Sequence, residues 1–327
     1  METTKAPDVA VIGLSCVDVV ATAADCRWHV MNPVGDVRVS GGGLGNALLA
    51  LSGLGLRVGA ATRIGRDFYG DHLLSLWDSL GVDCRAVTRD PALPTGLAFV
   101  VNHGTERTPF FSAGANRAFC RSDVPDGWCQ SSACVLIFFA GALPSLDGAG
   151  MLDLVGSCRR AGTPVILDVS DSTAADYSAV PSYLPYVNLV VNAEEALRLT
   201  GKGDALAAVR ALAEMTGTAP REGSFHAVTR ADGVAIAACA AGGWVSADIA
   251  SPFNGRPVKS SVGAGDAFRA GLAAHICTHG RDRGAGKFDY RTACLQACAT
   301  AFLYLNRNTD SRPPFSMAHV LAQLTLA

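Results

Sequence analysis

The chain has 327 residues, 49% of them hydrophobic and 17% charged, with a formal net charge of −2. Such a composition excludes the disordered and fibrous classes, and the charge gives no broad attraction to nucleic acid or to an anionic membrane. The length suits one large α/β domain with an appendage, or two domains, and can bury a sizeable core. The segment Met1–Asp8 lacks the basic and apolar regions of a secretory signal. The longest apolar run, Cys134–Ala140, is too short to span a bilayer. The expectation is a cytoplasmic protein that binds neither nucleic acid nor membrane. Its 11 cysteines contain no CxxC pair and read as reduced thiols. Cys294 and Cys298 read as two small buried residues on one helix face, ahead of a metal site.

The first element is a strand at Val9–Ile12, a short β-branched run of the kind buried on both faces of a parallel sheet. Asp18 follows it, either as a solvated group or cap, or placed to bind substrate hydroxyls. Residues 15–40 and 95–112 hold strand-like pieces with no helices between them. They read as an antiparallel excursion from the main sheet, the second turning at Asn102-His103-Gly104. Gly41-Gly42-Gly43-Leu44-Gly45-Asn46 precedes a helix with Ala47, Leu48, Leu51 and Leu54 at helical spacing. It fails the dinucleotide fingerprint, because Asn46 stands where a third glycine belongs and no convincing strand leads in. A loop approaching a polyhydroxy ligand, with Asn46 as donor and acceptor, is the functional reading; a glycine-rich turn into a capped helix is the plain one.

Further along, Cys134–Ala140, Pro164–Leu167 and Leu189–Val191 read as buried strands, and their alternation with amphipathic stretches argues for an α/β sheet covered by helices. Asn192-Ala193-Glu194-Glu195 after the third of these is close to a capping box. Alternatively, Asn192 and Glu195 sit at the carboxyl end of a parallel strand, where such sheets bind ligands, and hold Mg²⁺ through water. Ala227–Gly233 is a strand with a tight turn, either a simple hairpin or one wall of a nucleotide site. Last comes Gly263-Ala264-Gly265-Asp266 at the start of a helix carrying Phe268, Leu272 and Ile276. Small residues and a helix N-terminus suit an anion, and Asp266 suits either a cap or a general base.

Together, in this order, these motifs resemble the ribokinase-like (PfkB) carbohydrate kinases over nearly the whole chain. Asp18, Gly42 and Asn46 match substrate-binding positions. Gly65–Gly70, Pro94-Thr95-Gly96 and Gly114-Ala115-Asn116 match landmarks, Asn192 with Glu195 matches Asn-x-x-Glu, and Val262–Asp266 matches the end of the closing signature. The resemblance implies one domain over 1–327: a three-layer αβα sandwich with a mostly parallel central sheet. A small β-sheet lid, about 15–40 and 95–112, would close over the substrate, exclude water and offer an open edge for a homodimer. It implies ATP and Mg²⁺, phosphoryl transfer to a hydroxyl of a small sugar-like molecule, Asp266 as general base, and Gly263, Ala264 and Gly265 as an anion hole. Asp18, Gly42, Gly43, Asn46 and Arg107 would hold the substrate. Asn192, Thr229, Arg230, Gly233, Gly265 and Asn308 would lie at the nucleotide, with Ala299–Asn308 beside the adenine. Asn192 and Glu195 would hold Mg²⁺ through water.

Three departures stand out. Ser260 replaces the signature's leading Asp, which puts monovalent-cation activation in doubt. Gly43 stands where many ribokinases have Lys, and Arg230-Ala231 follows Thr229 where a Gly is usual. The competing readings are a nucleoside kinase of the same fold, with Phe99, Phe110, Phe111 and Phe119 available to stack a base, and a sugar-phosphate kinase using His103 and Arg107. A non-catalytic sugar- or nucleotide-binding relative is the third.

Overall fold

The computed structural model describes residues 6–23, 27, 29–103, 106–217, 220, 222–240, 243–260, 262–279, 289–307 and 315–325. The first half runs β1 (Val9–Gly13), β2 (Ser15–Ala23), β3 (Val34–Gly43), α1 (Gly45–Gly53), β4 (Val58–Gly65), α2 (Phe68–Ser79), β5 (Asp83–Asp90), β6 (Gly96–His103) and β7 (Glu106–Ser112). There follow β8 (Cys134–Ala140), α3 (Ala149–Ala161), β9 (Val165–Val169), α4 (Val180–Tyr183), β10 (Asn188–Asn192), α5 (Ala193–Thr200) and α6 (Ala205–Met215). The chain then forms β11 (Phe225–Thr229), β12 (Gly233–Ala240), β13 (Gly243–Ala250), α7 (Ala264–His279), α8 (Tyr290–Leu305) and α9 (Met317–Thr325).

The large sheet has nine strands in the order β13-β12-β11-β10-β9-β8-β1-β4-β5. All pairs from β11 to β5 are parallel, and β12 and β13 add on antiparallel. Successive strand side chains point to opposite faces, so a run such as Val9-Ala10-Val11-Ile12 feeds two cores at once. Val9 and Val11 pack with Leu48 and Leu51 of α1 and Phe268 and Leu272 of α7. Ala10 and Ile12 pack on the other side with Leu154 of α3 and Leu212 of α6. Each such large side chain, fully buried, contributes about 1.5–3 kcal/mol. The result is an αβα sandwich. Among the described residues no helix is long and apolar enough to cross a membrane.

A second sheet has four strands in the order β3-β2-β6-β7. Its hairpins β2–β3 and β6–β7 are antiparallel, but its central pair β2–β6 is parallel. The expected wholly antiparallel excursion is corrected here: both hairpins leave the body in the same sense, so their first strands meet side by side. A buried side chain, Asn116, and a half-buried one, Asp67, fix their roots. Asn116 Oδ1 accepts from Ser15 N–H at 2.9 Å and its Nδ2 donates to Ser15 O at 2.8 Å. Asp67 accepts from Thr95 N–H at 2.7 Å and from Thr95 Oγ1 at 2.6 Å. Contrary to expectation, a strand does lead into the Gly41–Asn46 run. It is β3, an exposed edge strand whose Gly35, Arg38 and Ser40 leave no apolar run to read.

Candidate active site

The carboxyl ends of β8, β9 and β10, the start of α7 and the inner face of the small sheet enclose a groove of about 1160 Å³. Crevices at this end of open α/β sheets are where ligands bind. Asp18, Gly43, Asn46 and Phe111 line one part of it, and Thr229, Gly233, Phe253 and Phe302 another. Gly263, Ala264, Gly265 and Asp266 line it as well.

Gly263 has φ +82°, and a Cβ there would lie 2.7 Å from Tyr304 Cε1. Only glycine makes this turn at no cost. The N–H groups of Ala264, Gly265 and Asp266 precede the first helical bond of α7, Ala267 N–H to Gly263 O at 2.9 Å. They are orphan donors at the positive end of a helix of 16 residues. Asp266 sits inside this first turn, with its Oδ2 accepting from Asn46 Nδ2 at 3.0 Å. Asn46 is itself oriented by Tyr304, whose hydroxyl donates to Asn46 Oδ1 at 2.9 Å.

Besides Asp18, four carboxylates, Asp168, Asp171, Glu195 and Asp266, border the groove together with Arg269. Arg269 Nη2 pairs with Asp168, and its Nε and Nη2 donate to Val190 O at 3.1 and 2.8 Å. Its Nη1 lies 3.7 Å from Asp266 Oδ1. Burial pushes the Asp266 carboxyl above its ordinary range, while Arg269 and the Asn46 hydrogen bond pull it back. Glu195 is also raised by burial, with Arg269 opposing. Asn192 and Glu195 form a full capping box: Asn192 Oδ1 accepts from Glu195 N–H at 2.9 Å, and Glu195 Oε2 from Asn192 N–H at 2.8 Å. Asn192 Nδ2 also donates to Glu195 Oε1 at 2.7 Å. The cap is therefore real, and the same two residues line the groove. A carboxylate offers about four lone-pair sites, so these oxygens keep acceptor capacity for the water shell of a hard cation.

Of the remaining predicted residues, Gly42 acts through Asp18, since a Cβ there would lie 2.0 Å from Asp18 Oδ1. Gly43 has φ +60° and lines the groove. Thr229 and Gly233 flank the β11–β12 turn, which is both a hairpin and a groove wall. Arg230 lines the groove too, but its guanidinium is paired with Asp232 at 2.8 Å and Asp248 at 2.7 Å. Arg107 falls on β7 and its side chain is outside the described residues, as is all of Asn308. Of the four aromatics considered for base stacking, Phe111 alone lines the groove. Phe119 is fully buried, and Phe99 and Phe110, 43% and 53% exposed, pair with each other on the opposite face.

Sequence reasoning missed Arg269, Asp168 and Phe253, and placed Tyr304 only within the stretch Ala299–Asn308 beside the adenine, not against Asn46. Phe253 and Phe302 stack with centroids 4.7 Å apart and 11° between planes, forming an apolar slab in the groove. Arg269 carried a readable signal, a charge within the apolar stretch from Ala267 to Ala274.

Residues 6–310 match the model of the pfkB family carbohydrate kinase. No curated protein matches the sequence. The fold is similar to that of Arabidopsis thaliana ribokinase complexed with ribose and ATP, at 20% identity over 98% of this chain and 100% of that one, with a TM-score of 0.78. It is similar to an Escherichia coli protein described as ribokinase II, in complex with ATP and Mg²⁺, at 18% identity, 98% and 99% coverage and a TM-score of 0.76. It is similar to Burkholderia thailandensis nucleoside kinase in complex with inosine, at 20% identity, 98% coverage of both chains and a TM-score of 0.74.

Proposed function

The chain belongs to the pfkB family of carbohydrate kinases, and on that premise we propose that it transfers the γ-phosphoryl group of ATP to a hydroxyl of a small sugar-like substrate, with Asp266 as general base. The observation that carries this reading is the place of Asp266. It sits on the first turn of α7, bonded to Asn46 on the substrate side of the groove and beside the N–H groups of residues 264–266. Asp18 and Asn46 hold the substrate hydroxyls. Asp266 accepts the proton of the attacking hydroxyl as its oxygen bonds to the γ-phosphorus and ADP leaves. Charge gathering on the transferred group meets the Gly263–Gly265 turn, and such preorganised donors act at their strongest where water is excluded. A carboxyl raised by burial lies closer to working pH, which favours proton acceptance.

Nucleotide binding falls to Thr229, Gly233 and the Phe253–Phe302 slab, with the ATP complexes of two structural neighbours as support. Asn192 and Glu195 fit Mg²⁺ through water, because both residues line the groove and the capped Glu195 carboxylate keeps acceptor capacity. Bound there, the ion would supply positive charge to offset that of the phosphates. The four-stranded sheet acts as a lid over one domain, and serves a homodimer through its open edge together with the exposed outer face beside it. Ser260 supplies no counter-charge for a monovalent cation.

A nucleoside acceptor is the second reading. Leu14, Ala98, Phe111, Phe139 and Ala142 give the groove apolar walls near Asp18, and a neighbour of this fold is a nucleoside kinase with inosine. An ADP-release screen over sugars, sugar phosphates, nucleosides and polyols separates the two. Asp266→Asn should lower turnover by about 10²–10⁴-fold while ATP binding, measured by calorimetry, persists. Turnover within a few-fold of the unaltered protein would sink the base assignment.

A further inference from the structure

Arg269 does more than neutralise a buried acid. Its side chain is 7% exposed and that of Asp168 5%. One edge of the guanidinium, Nε and Nη2, is held by Val190 O on β10 and by Asp168 on β9. The remaining nitrogen, Nη1, is turned to Asp266 Oδ1 at 3.7 Å. The planar fork thus works in two directions at a fixed geometry, which the rotatable donors of a compact lysine ammonium do not impose. Gly265 belongs to the same device, because a Cβ there would lie 2.8 Å from Nη1. The glycine next to the carboxylate leaves room for the head of this arginine.

Resting on the reading of Asp266 as base, we propose that Arg269 is its positioning residue, clamping the first turn of α7 to the ends of β9 and β10 and holding the Asp266 carboxylate charged and aimed into the groove. The groups facing Asp266 are Asn46 from α1, Asp168 on β9, Asp171 beyond β9, Glu195 on α5 and Arg269 itself. Three of these are acids, and Arg269 is the cation that offsets them. Without it, burial and like charge both favour the protonated acid, which cannot accept a proton.

The test reads Asp266 directly, by carboxylate NMR of ¹³C-aspartate-labelled protein titrated without substrate; the Asp266 signal is identified by its loss in Asp266→Asn. Removing Arg269 alone strands a buried Asp168, so the main variant is Arg269→Gln with Asp168→Asn, which removes both partners. Because Asp168 also faces Asp266, the reference is Asp168→Asn alone: relative to it the Asp266 midpoint in the double variant should rise by about one pH unit, a tenfold change in protonation. The acidic limb of kcat/KM should move up with it. Arg269→Lys, which keeps the buried pair, should give a smaller rise in the same direction. A folded variant of either kind with an unmoved midpoint overturns the proposal. If Asp266→Asn is inactive while the midpoint stays put, Arg269 alone has been misread. If Asp266→Asn turns over normally, the base reading has failed instead.

Discussion

The two sheets divide the work of the molecule by how they are buried. In the large sheet β1 and β9 are buried at every position, and residues at its strand ends are held from several sides, as Asp168 is by Arg269. The small sheet is covered on one face at most. One row across it reads Ser40–Asp18–Ala98–Phe111, of which Asp18, Ala98 and Phe111 line the groove. The next row, on the opposite face, reads Val39–Val19–Phe99–Phe110, of which Val39, Phe99 and Phe110 are exposed. In the proposed reading the chemistry sits on the doubly covered sheet, and recognition, closure and self-association fall to the thinner one, whose Val39, Phe99 and Phe110 are left exposed.

The sharpest way to break this contrast is to make one substitution in both places. Gly263→Ala puts a methyl 2.7 Å from the Tyr304 ring at a φ of +82°. It should shift the first turn of α7 and cost about 10²-fold in turnover, the scale of losing one oxyanion donor. Gly35→Ala on β3 meets only Thr22 O at 3.9 Å, and turnover should stay near normal, since surface changes rarely exceed about 0.5 kcal/mol. Equal losses in the two variants, measured by steady-state kinetics, would refute the division.

The same contrast explains what the sequence disclosed. The strands at Val9–Ile12, Cys134–Ala140 and Leu189–Val191 were legible because burial on both faces writes a continuous apolar run. Strand β3 was not, because an exposed edge strand needs no apolar residues. Asn46 and Asp266 stood out through glycine-rich runs, which leave a local trace, and Asp18 through its place just after the first strand. Tyr304 left none: its hydroxyl reaches Asn46 across the fold, and within α8 it reads as one more core aromatic. Arg269 and Asp168 are ordinary singly and acquire meaning only as a pair. Nor does spacing reveal that Asn192 and Glu195 form a cap and border the groove at once.

A smaller effect is expected on the outer face of the small sheet. Phe110→Asp places a charge in the row Val39–Val19–Phe99–Phe110. If that face joins two copies, losing a central aromatic should cost about 2 kcal/mol, roughly 30-fold in the dimer dissociation constant. Turnover should be unaffected, since Phe110 points away from Asp18. Sedimentation velocity across a concentration series checks the first point, and an unchanged dimer would remove this face from the interface.

The smallest effect sharpens the contrast inside the doubly covered half, at the two ends of the turn leading into α7. Its Asp266 end carries the network described above. At the other end, Ser260 Oγ accepts from Val262 N–H at 3.1 Å, a neutral contact that braces the turn without a charge. Unit charges 4 Å apart near a protein surface attract by about 4 kcal/mol. A carboxylate at position 260 would give a bound K⁺ a term of that order, and a hydroxyl dipole gives far less. Exchanging Na⁺ for K⁺ should therefore change turnover by less than about twofold, which is under 0.5 kcal/mol in the barrier. Ser260→Asp should introduce a measurable K⁺ stimulation. A large K⁺ response of the unaltered protein would mean that backbone carbonyls alone can hold the ion there, and that the charge at position 260 was never the controlling feature.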